Sequence, residues 1–428
     1  MIDIKFLREN PQLVKKAAKN KGLEINIDRV LELDKKVREL DPIVQKLREE
    51  KNKASKEKNI EKGKELKEKL EKEEKILSSI SEELTVLFLQ VPNIPTEDVP
   101  IGRDESENKV LRKWGKPRVF DFENKDHLEL GESLDLIDTK KAAEIVGSRF
   151  YYLKKELVLL EFAIVQYTFD TLTDEKVLKK IATEIDKNYS SKSFIPVNPP
   201  VMIRPDVFKK MARLDPEDDR YYLAKDNLFL IGSAEHTLGP LHINETISEK
   251  NFPIRYVGFS TSFRRESGTY GKDTRGILRV HQFDKLEMES FTTSENSLKE
   301  QNFLVAIQEY FMQSLEIPYQ VIMVCTGEMG SPDARQIDIE TWIPSQGKYR
   351  ETHTSDLMTD YQSRRLQTRV KRKDGKTEFV HMNDATAFAM PRLLIAILEN
   401  YQQKDGSILI PKVLQKYTNF SKISQKTS

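Results

Sequence analysis

The sequence predicts an α+β protein: an N-terminal antiparallel coiled-coil hairpin of helices, followed by a larger domain whose β-sheet is largely antiparallel and flanked by helices. Three observations carry that expectation. Apolar residues between positions 30 and 87 recur at spacings of three and four, the rhythm of a coiled-coil stripe. From about Val110 onward, strand-like runs alternate with amphipathic helices. Few βαβ repeats are evident and no Gly-rich loop follows a strand, which argues against a parallel dinucleotide-binding sheet and for antiparallel pairing.

The hairpin is read from two stripes. Val30, Leu33, Val37, Leu40, Val44 and Leu47 form the first, and Leu66, Leu70, Leu77, Ile80, Leu84 and Leu87 the second, with a Gly-containing break near Asn59–Gly63. Arms of roughly 30 residues reach about 45 Å at 1.5 Å per residue. Pro42 is expected to kink the first arm or remove a hydrogen bond there. Charged heptads by themselves describe any solvated coiled coil. Here Lys46, Arg48, Lys51, Lys53, Lys56, Lys58, Lys62 and Lys64 gather toward the tip against Glu49, Glu50, Glu57 and Glu61, so the excess positive charge lies where a phosphate backbone could meet it.

A Pro-rich connector, VPNIPTEDVPIGRDESEN, marks the expected boundary, with an arm domain over residues 1–103 and the larger domain over 104–428. In the second part PIRYVGFSTSFRRE, ILRVHQFDKLEMESFT and YQVIMVC read as strands, and AIQEYFMQSL and PRLLIAILENYQ as helices.

Composition excludes several classes. The net charge of +1 hides a charged fraction of 32%, so any nucleic-acid footprint must be local. A single cysteine, Cys325, rules out an intrachain disulfide framework and a Cys cluster for zinc. The six histidines are scattered. No signal peptide or membrane span is visible, and a soluble cytoplasmic protein is expected.

The most informative stretch is FRRESGTYGKDTRGILRVHQFDKLEME, residues 263–289. An Arg-Arg-Glu ends one β-patterned run. A loop rich in Gly and basic residues follows (Gly268, Gly271, Lys272, Arg275, Gly276), and a second run carries Arg279, His281, Phe283 and Glu287. Such a hairpin aims cations, a carboxylate and an aromatic ring into one pocket. Guanidinium forks bind phosphate oxygens bidentately, and an aromatic face offers a nucleobase a stacking surface. A solvated surface hairpin could carry the same charges; its surroundings weigh against that reading. The alternation Phe283, Lys285, Glu287 puts Glu287 on the same face as Phe283.

This stretch closely resembles motif 2 of the class II aminoacyl-tRNA synthetases in the form found in seryl-tRNA synthetases. The resemblance runs through nearly the whole chain in order: MIDIKFLRENP, the charged hairpin, VPNIP, HLELGE, GSRFYYLK, IGSAEHTL, the motif itself, IDIETWIPSQGKY, DYQSRR and MPRLLIAILENYQQKDGSILIPKVL. It implies a ligase that activates serine with ATP and transfers it to serine tRNA; use of selenocysteine tRNA stays open. It implies that the hairpin grips the long variable arm of the tRNA through Lys46, Arg48, Lys51, Lys53, Lys56 and Lys58. It also implies a homodimer, with the interface motif around Ser190–Arg204.

The site residues follow from the same resemblance. Arg264 and Arg392 are the implied catalytic pair, Arg264 on the α-phosphate and Arg392 at the adenine and γ-phosphate. The implied ATP contacts add Arg265, Glu266, Val280, Phe283, Glu351, Thr352, His353 and Thr354. Magnesium would be held at Glu351 and Thr354, in a zinc-free enzyme type. Serine would meet Ser233, Ala234, Glu235, Arg264, Glu287 and Thr386. His281, Arg279 and Lys272 are further candidates for phosphate or the tRNA end. Ser355, Asp356 and Leu357 stand where many relatives carry Cys-Ser-Asn. Asp384 stands for asparagine, and Ala385 and Ala387 for glycines. A catalytically silent RNA-binding paralogue, or a ligase for another amino acid or a carrier protein, are the competing readings; intact Arg264, Glu266 and Arg392 oppose the first, and the long arm opposes a carrier-protein ligase.

Overall fold

The computed structural model describes residues 1–267 and 275–425, so Gly268, Gly271 and Lys272 lie outside the described residues. Two long helices form the N-terminal hairpin: α1, Ile27–Lys56, and α2, Ile60–Gln90. Val30, Leu33, Val44, Leu66 and Leu70 are buried along the seam, whereas the arms' charged faces stay exposed. One expectation needs correction. The reversal is made by 57–59, with Lys58 in the left-handed region at φ 55°; Gly63 lies inside the first turns of α2. Asn59 caps that helix by accepting from the Lys62 N–H at 3.1 Å, so a side-chain cap does what the glycine was expected to do. Helix α1 runs on through Pro42. Proline lacks one helical N–H, and the long contact with α2 keeps the helix continuous.

The larger part is built on an eight-stranded sheet. Its strands are β1 Lys109–Trp114, β2 Ile195–Val197, β3 Ile254–Phe263, β4 Gln282–Thr292, β5 Tyr319–Met323, β6 Arg335–Ile343, β7 Lys348–Thr359 and β8 His381–Ala389. They lie in the order β1-β5-β6-β7-β8-β4-β3-β2. Every neighbouring pair is antiparallel except β2 with β3. The expected second run of the hairpin begins later than its pattern suggests. Arg279, Val280 and His281 precede β4 in irregular chain, because His281 N–H donates to Arg149 O rather than across the hairpin.

Helices α3 Glu156–Thr173, α4 Ser297–Ser314 and α5 Met390–Tyr401 pack on the sheet. Leu304, Phe311, Ile339, Phe388 and Leu394 are fully buried in their common core. Each such side chain contributes roughly 1.5–3 kcal/mol when removed from water. The expected interface segment around Ser190–Arg204 contains β2, the sheet's edge strand, and Met202–Ile203 in a separate small sheet. Among the described residues, no helix is long and apolar enough to cross a membrane.

The connector after α2 has no helix before a single 3-10 turn at Glu105–Glu107, and it is fastened to the sheet domain. The Asn93 side-chain amide donates to Pro332 O and Met358 O, both at 2.8 Å. Tyr361 joins the core of the N-terminal helices with Leu7, Val14 and Val30, and its hydroxyl donates to Val91 O at 2.8 Å.

Candidate active site

One cavity of about 280 Å³ opens on the face of the sheet formed by β4, β7 and β8. Period two along a strand decides which residues enter it, and two bulges adjust that rule. In β7 the register against β6 slips between Ile339 and Glu340. Thr352 is the extra residue, so Glu351 and Thr354, three apart in sequence, both line the cavity. In β8 the register against β4 slips at Ala387, which brings Thr386 opposite Glu287. On β4, Phe283, Lys285 and Glu287 line it together.

Of the expected residues, Glu235, Arg264, Glu266, Val280, Phe283, Glu287, Glu351, Thr352, Thr354, Thr386 and Arg392 line this one cavity. Ser233 reaches it indirectly: its hydroxyl donates to Glu287 Oε2 at 3.1 Å and accepts from Lys285 Nζ at 3.2 Å. Three others do not line it. Ala234 is buried behind the Glu235–Leu238 turn, facing Gly258. The Arg265 guanidinium sits 4.5 Å from the Tyr221 ring centroid, its Nε donating to Arg220 O at 2.9 Å. The bulge at Thr352 turns His353 to the opposite face, where its ring packs 5.5 Å from that of Phe388. Burial holds that imidazole down to about 3, so it is neutral.

The cavity's chemistry divides into two parts. At one end Arg264 stands 5.5 Å from the Phe283 ring centroid and is steadied by its Nε–H donating to Gly232 O at 3.1 Å. Arg279 pairs with Glu266 at 3.3 Å, and Glu266 itself takes a left-handed φ of 52°. Arg392 Nη1 donates to both Oε1 and the main-chain O of Glu351, each at 2.9 Å. Partial desolvation works to raise the Glu351 carboxyl, but Arg392, Arg264 and Arg279 outweigh it and hold the group below the usual carboxylate range. An adjoining cavity of about 620 Å³ shares Arg279, Glu351 and Arg392. This end suits a polyphosphate with a stacked base.

The other end is acidic. Carboxylate oxygens of Glu235, Glu287 and Asp384 lie within 4.8 Å of one another. Beneath them Glu289 is fully buried, with both oxygens unpartnered. Burial and the Glu235 and Glu287 charges push its carboxyl far up, to the protonated form. Burial likewise raises Glu287, opposed by the ion-paired Lys285. Converging carboxylates of this kind suit an ammonium group.

Residues 1–95 match the seryl-tRNA synthetase N-terminal domain family, and residues 219–401 match the tRNA synthetase class II core domain of the G, H, P, S and T type. Over 442 residues the chain is 42% identical to a serine–tRNA ligase of Dictyoglomus thermophilum, covering all of both chains. The chain belongs to the seryl-tRNA synthetase family. A serine–tRNA ligase of Pyrococcus horikoshii is 38% identical over 99% of this chain and 97% of that one. The crystal structure of the Pyrococcus horikoshii seryl-tRNA synthetase complexed with ATP superimposes with a TM-score of 0.89 at 36% identity, over the full length of both chains. The Naegleria fowleri cytoplasmic serine–tRNA ligase in complex with AMP gives 0.86 at 29%, over 100% and 99%.

Within this seryl-tRNA synthetase fold several lining residues have no role that the sequence alone suggests, the charged Lys285, Arg213 and Arg220 among them. Lys285 was noticed only as part of a strand face. Arg213 and Arg220 sit in KKMARLDPEDDR, a stretch with no motif or periodicity to single them out. Of the arm residues, Lys46, Arg48, Lys53, Lys56 and Lys58 are exposed and Lys51 is half-buried. Arg48 spends part of its charge on Glu74 across the hairpin, at 2.7 Å.

Proposed function

We propose that the protein is a serine–tRNA ligase. It condenses L-serine with ATP to seryl-adenylate and pyrophosphate, then passes the seryl group to the 3′ end of serine tRNA. The observation that carries this reading is one cavity with the Arg264, Arg392 and Glu351 cluster at one end and the Glu235, Glu287 and Asp384 carboxylates at the other.

The roles follow from chemistry. Neither step needs a protein nucleophile; both gain from positioning and charge neutralisation. Arg264 neutralises charge developing on the α-phosphate, and Phe283 and Val280 receive the adenine, with Glu266 on its edge. Arg392 exchanges Glu351 for phosphate oxygen. Glu235 and Glu287 accept from the serine ammonium, and Thr386 and Ser233 shape the hydroxyl pocket. Such a site rejects alanine by leaving its polar groups unpaired, and threonine by size. Magnesium neutralises phosphate charge when bound; Glu351 and Thr354 would hold it, a carboxylate and a hydroxyl that fit its preference for hard oxygen ligands. The zinc-free reading rests on the all-oxygen donor set at the acidic end, where zinc favours nitrogen and sulfur.

The finer assignments are part of the same proposal. The chain divides at 103/104, within the connector between α2 and β1. It works as a homodimer: Leu159 and Phe162 on α3 are 54% and 59% exposed, and Ile195 on edge strand β2 is 49% exposed, large apolar groups that a second copy would cover. The basic tip of the α1–α2 hairpin carries the tRNA contact, reading shape through phosphates. The enzyme acts in the cytoplasm. The deciding experiment is serine-dependent exchange of pyrophosphate into ATP, with threonine, alanine and glycine as comparisons. Well-folded protein that supports no exchange, or exchanges better with another amino acid, overturns the reading.

A further inference from the structure

The acidic end of the cavity is tied to the N-terminal helices by a chain of buried polar contacts. Arg213 is its centre. Its Nη2 lies 2.8 Å from Asp356 Oδ2, 3.1 Å from Asp384 Oδ2 and 3.2 Å from Asp333 Oδ1, and its Nε is 3.4 Å from Glu235 Oε1. These four carboxylates come from four separate segments, and one guanidinium gathers them. Crowded acids without a cation would repel and take up protons.

The outermost of the four is held from the far side. Lys21, just beyond the helix Pro11–Asn20, is 6% exposed. Its ammonium donates to Asp333 O at 2.6 Å, Gly330 O at 2.8 Å and Ser331 O at 3.4 Å. The approach depends on glycine at 330: a Cβ there would stand 2.6 Å from Asp333 Oδ2 and 3.1 Å from Arg213 Nη1. Burial pushes the Lys21 ammonium down to about 8, against the pull of Asp333 and Asp356. An apolar side chain would fasten the N-terminal helices without that desolvation cost. A buried cation aimed at this loop therefore calls for a reason beyond anchoring.

Arg213 divides its hydrogen bonds between Asp333 outside and Asp356 and Asp384 inside, with Glu235 within ion-pair reach of its Nε. If Asp333 moves away, the guanidinium turns wholly inward and neutralises carboxylates that an incoming ammonium needs. We propose that Lys21, acting through Asp333 and Arg213, is a positioning residue for recognition of the amino-acid ammonium, so that docking of the N-terminal helices sets the pocket's affinity for serine and not for ATP. This rests on the reading of the acidic end as the serine pocket.

The test uses the full-length protein and pyrophosphate exchange, titrating serine and ATP separately. Lys21→Met keeps the stem and removes the charge; Lys21→Arg restores a cation. Lys21→Met is expected to raise the serine KM about tenfold, to leave the ATP KM within about twofold, and to be partly rescued by Lys21→Arg. An unchanged serine KM, or serine and ATP KM values rising together, overturns the proposal. If Lys21→Met does not fold, Asp333→Asn leaves the lysine's carbonyl partners in place and is expected to give the same serine-selective rise; no rise there overturns it equally. Absence of serine-dependent exchange in the unmodified protein would instead remove the underlying reading of the site.

Discussion

Arg392 and Glu351 hold each other: one guanidinium nitrogen donates to both the carboxylate and the main-chain oxygen of Glu351 at 2.9 Å. Arg392 opens α5 and Glu351 lies in β7, so the bond crosses the mouth of the cavity from helix to sheet. Half of the Glu351 side chain remains open to solvent, which keeps the pair exchangeable.

Replacing this guanidinium should therefore fall on the nucleotide. Arg392→Ala is expected to lower kcat/KM for ATP by about 10²–10³-fold, the scale of one charge-assisted contact to a reacting phosphate, with the serine KM little changed. Steady-state exchange kinetics check this. A serine-selective effect would place Arg392 at the wrong end.

Arg264 is expected to matter more for turnover than for binding. Arg264→Ala should abolish detectable adenylate formation while leaving the thermal unfolding profile and the oligomeric state unchanged, since its side chain is held by a hydrogen bond to Gly232 O and a contact with the Phe283 ring at the cavity wall. Near-normal exchange in that variant would refute its role at the α-phosphate.

The arm can be separated from the chemistry. Excising residues 40–77 and closing the gap with a short flexible loop spares the base contacts of Val30, Leu84 and Leu87. Charging of serine tRNA should be lost while exchange is kept. Neutralising Lys53, Lys56 and Lys58 to Gln should weaken tRNA binding and reduce the slope of log K against log salt by about 2–3. Unchanged charging after excision would remove the arm from the tRNA contact.

Acid stability offers a test of the buried face. His353 titrates at about 3 in the folded chain because of burial, against an ordinary value near 6.5. Between those values the unfolded chain binds the extra proton, so stability falls as pH falls. From pH 7 to pH 5 this one residue should remove about 2 kcal/mol. Urea midpoints of His353→Gln should therefore drop less over that interval than those of the parent; equal drops would show that the ring is not shielded.

Much of this protein was legible in one dimension. Heptad stripes specify a hairpin because side chains three and four apart share a helical face. The order FRRE, ETHT and MPR pointed to the Arg264, Glu351 and Arg392 cluster that the structure gathers in one cavity, since each motif is local. Alternation along Phe283, Lys285 and Glu287 located one wall of the pocket. Tertiary structure decided the rest. Bulges at Thr352 and Ala387 depend on the partner strand, so which of Thr352, His353 and Thr354 enter the cavity could not be read from spacing. Arg213, Asp333, Asp356 and Asp384 lie far apart in sequence and follow no period. Their meeting, and the reach of Lys21 into it, exist only because the sheet and the docked N-terminal helices bring distant charges into one dry space where each must find a partner.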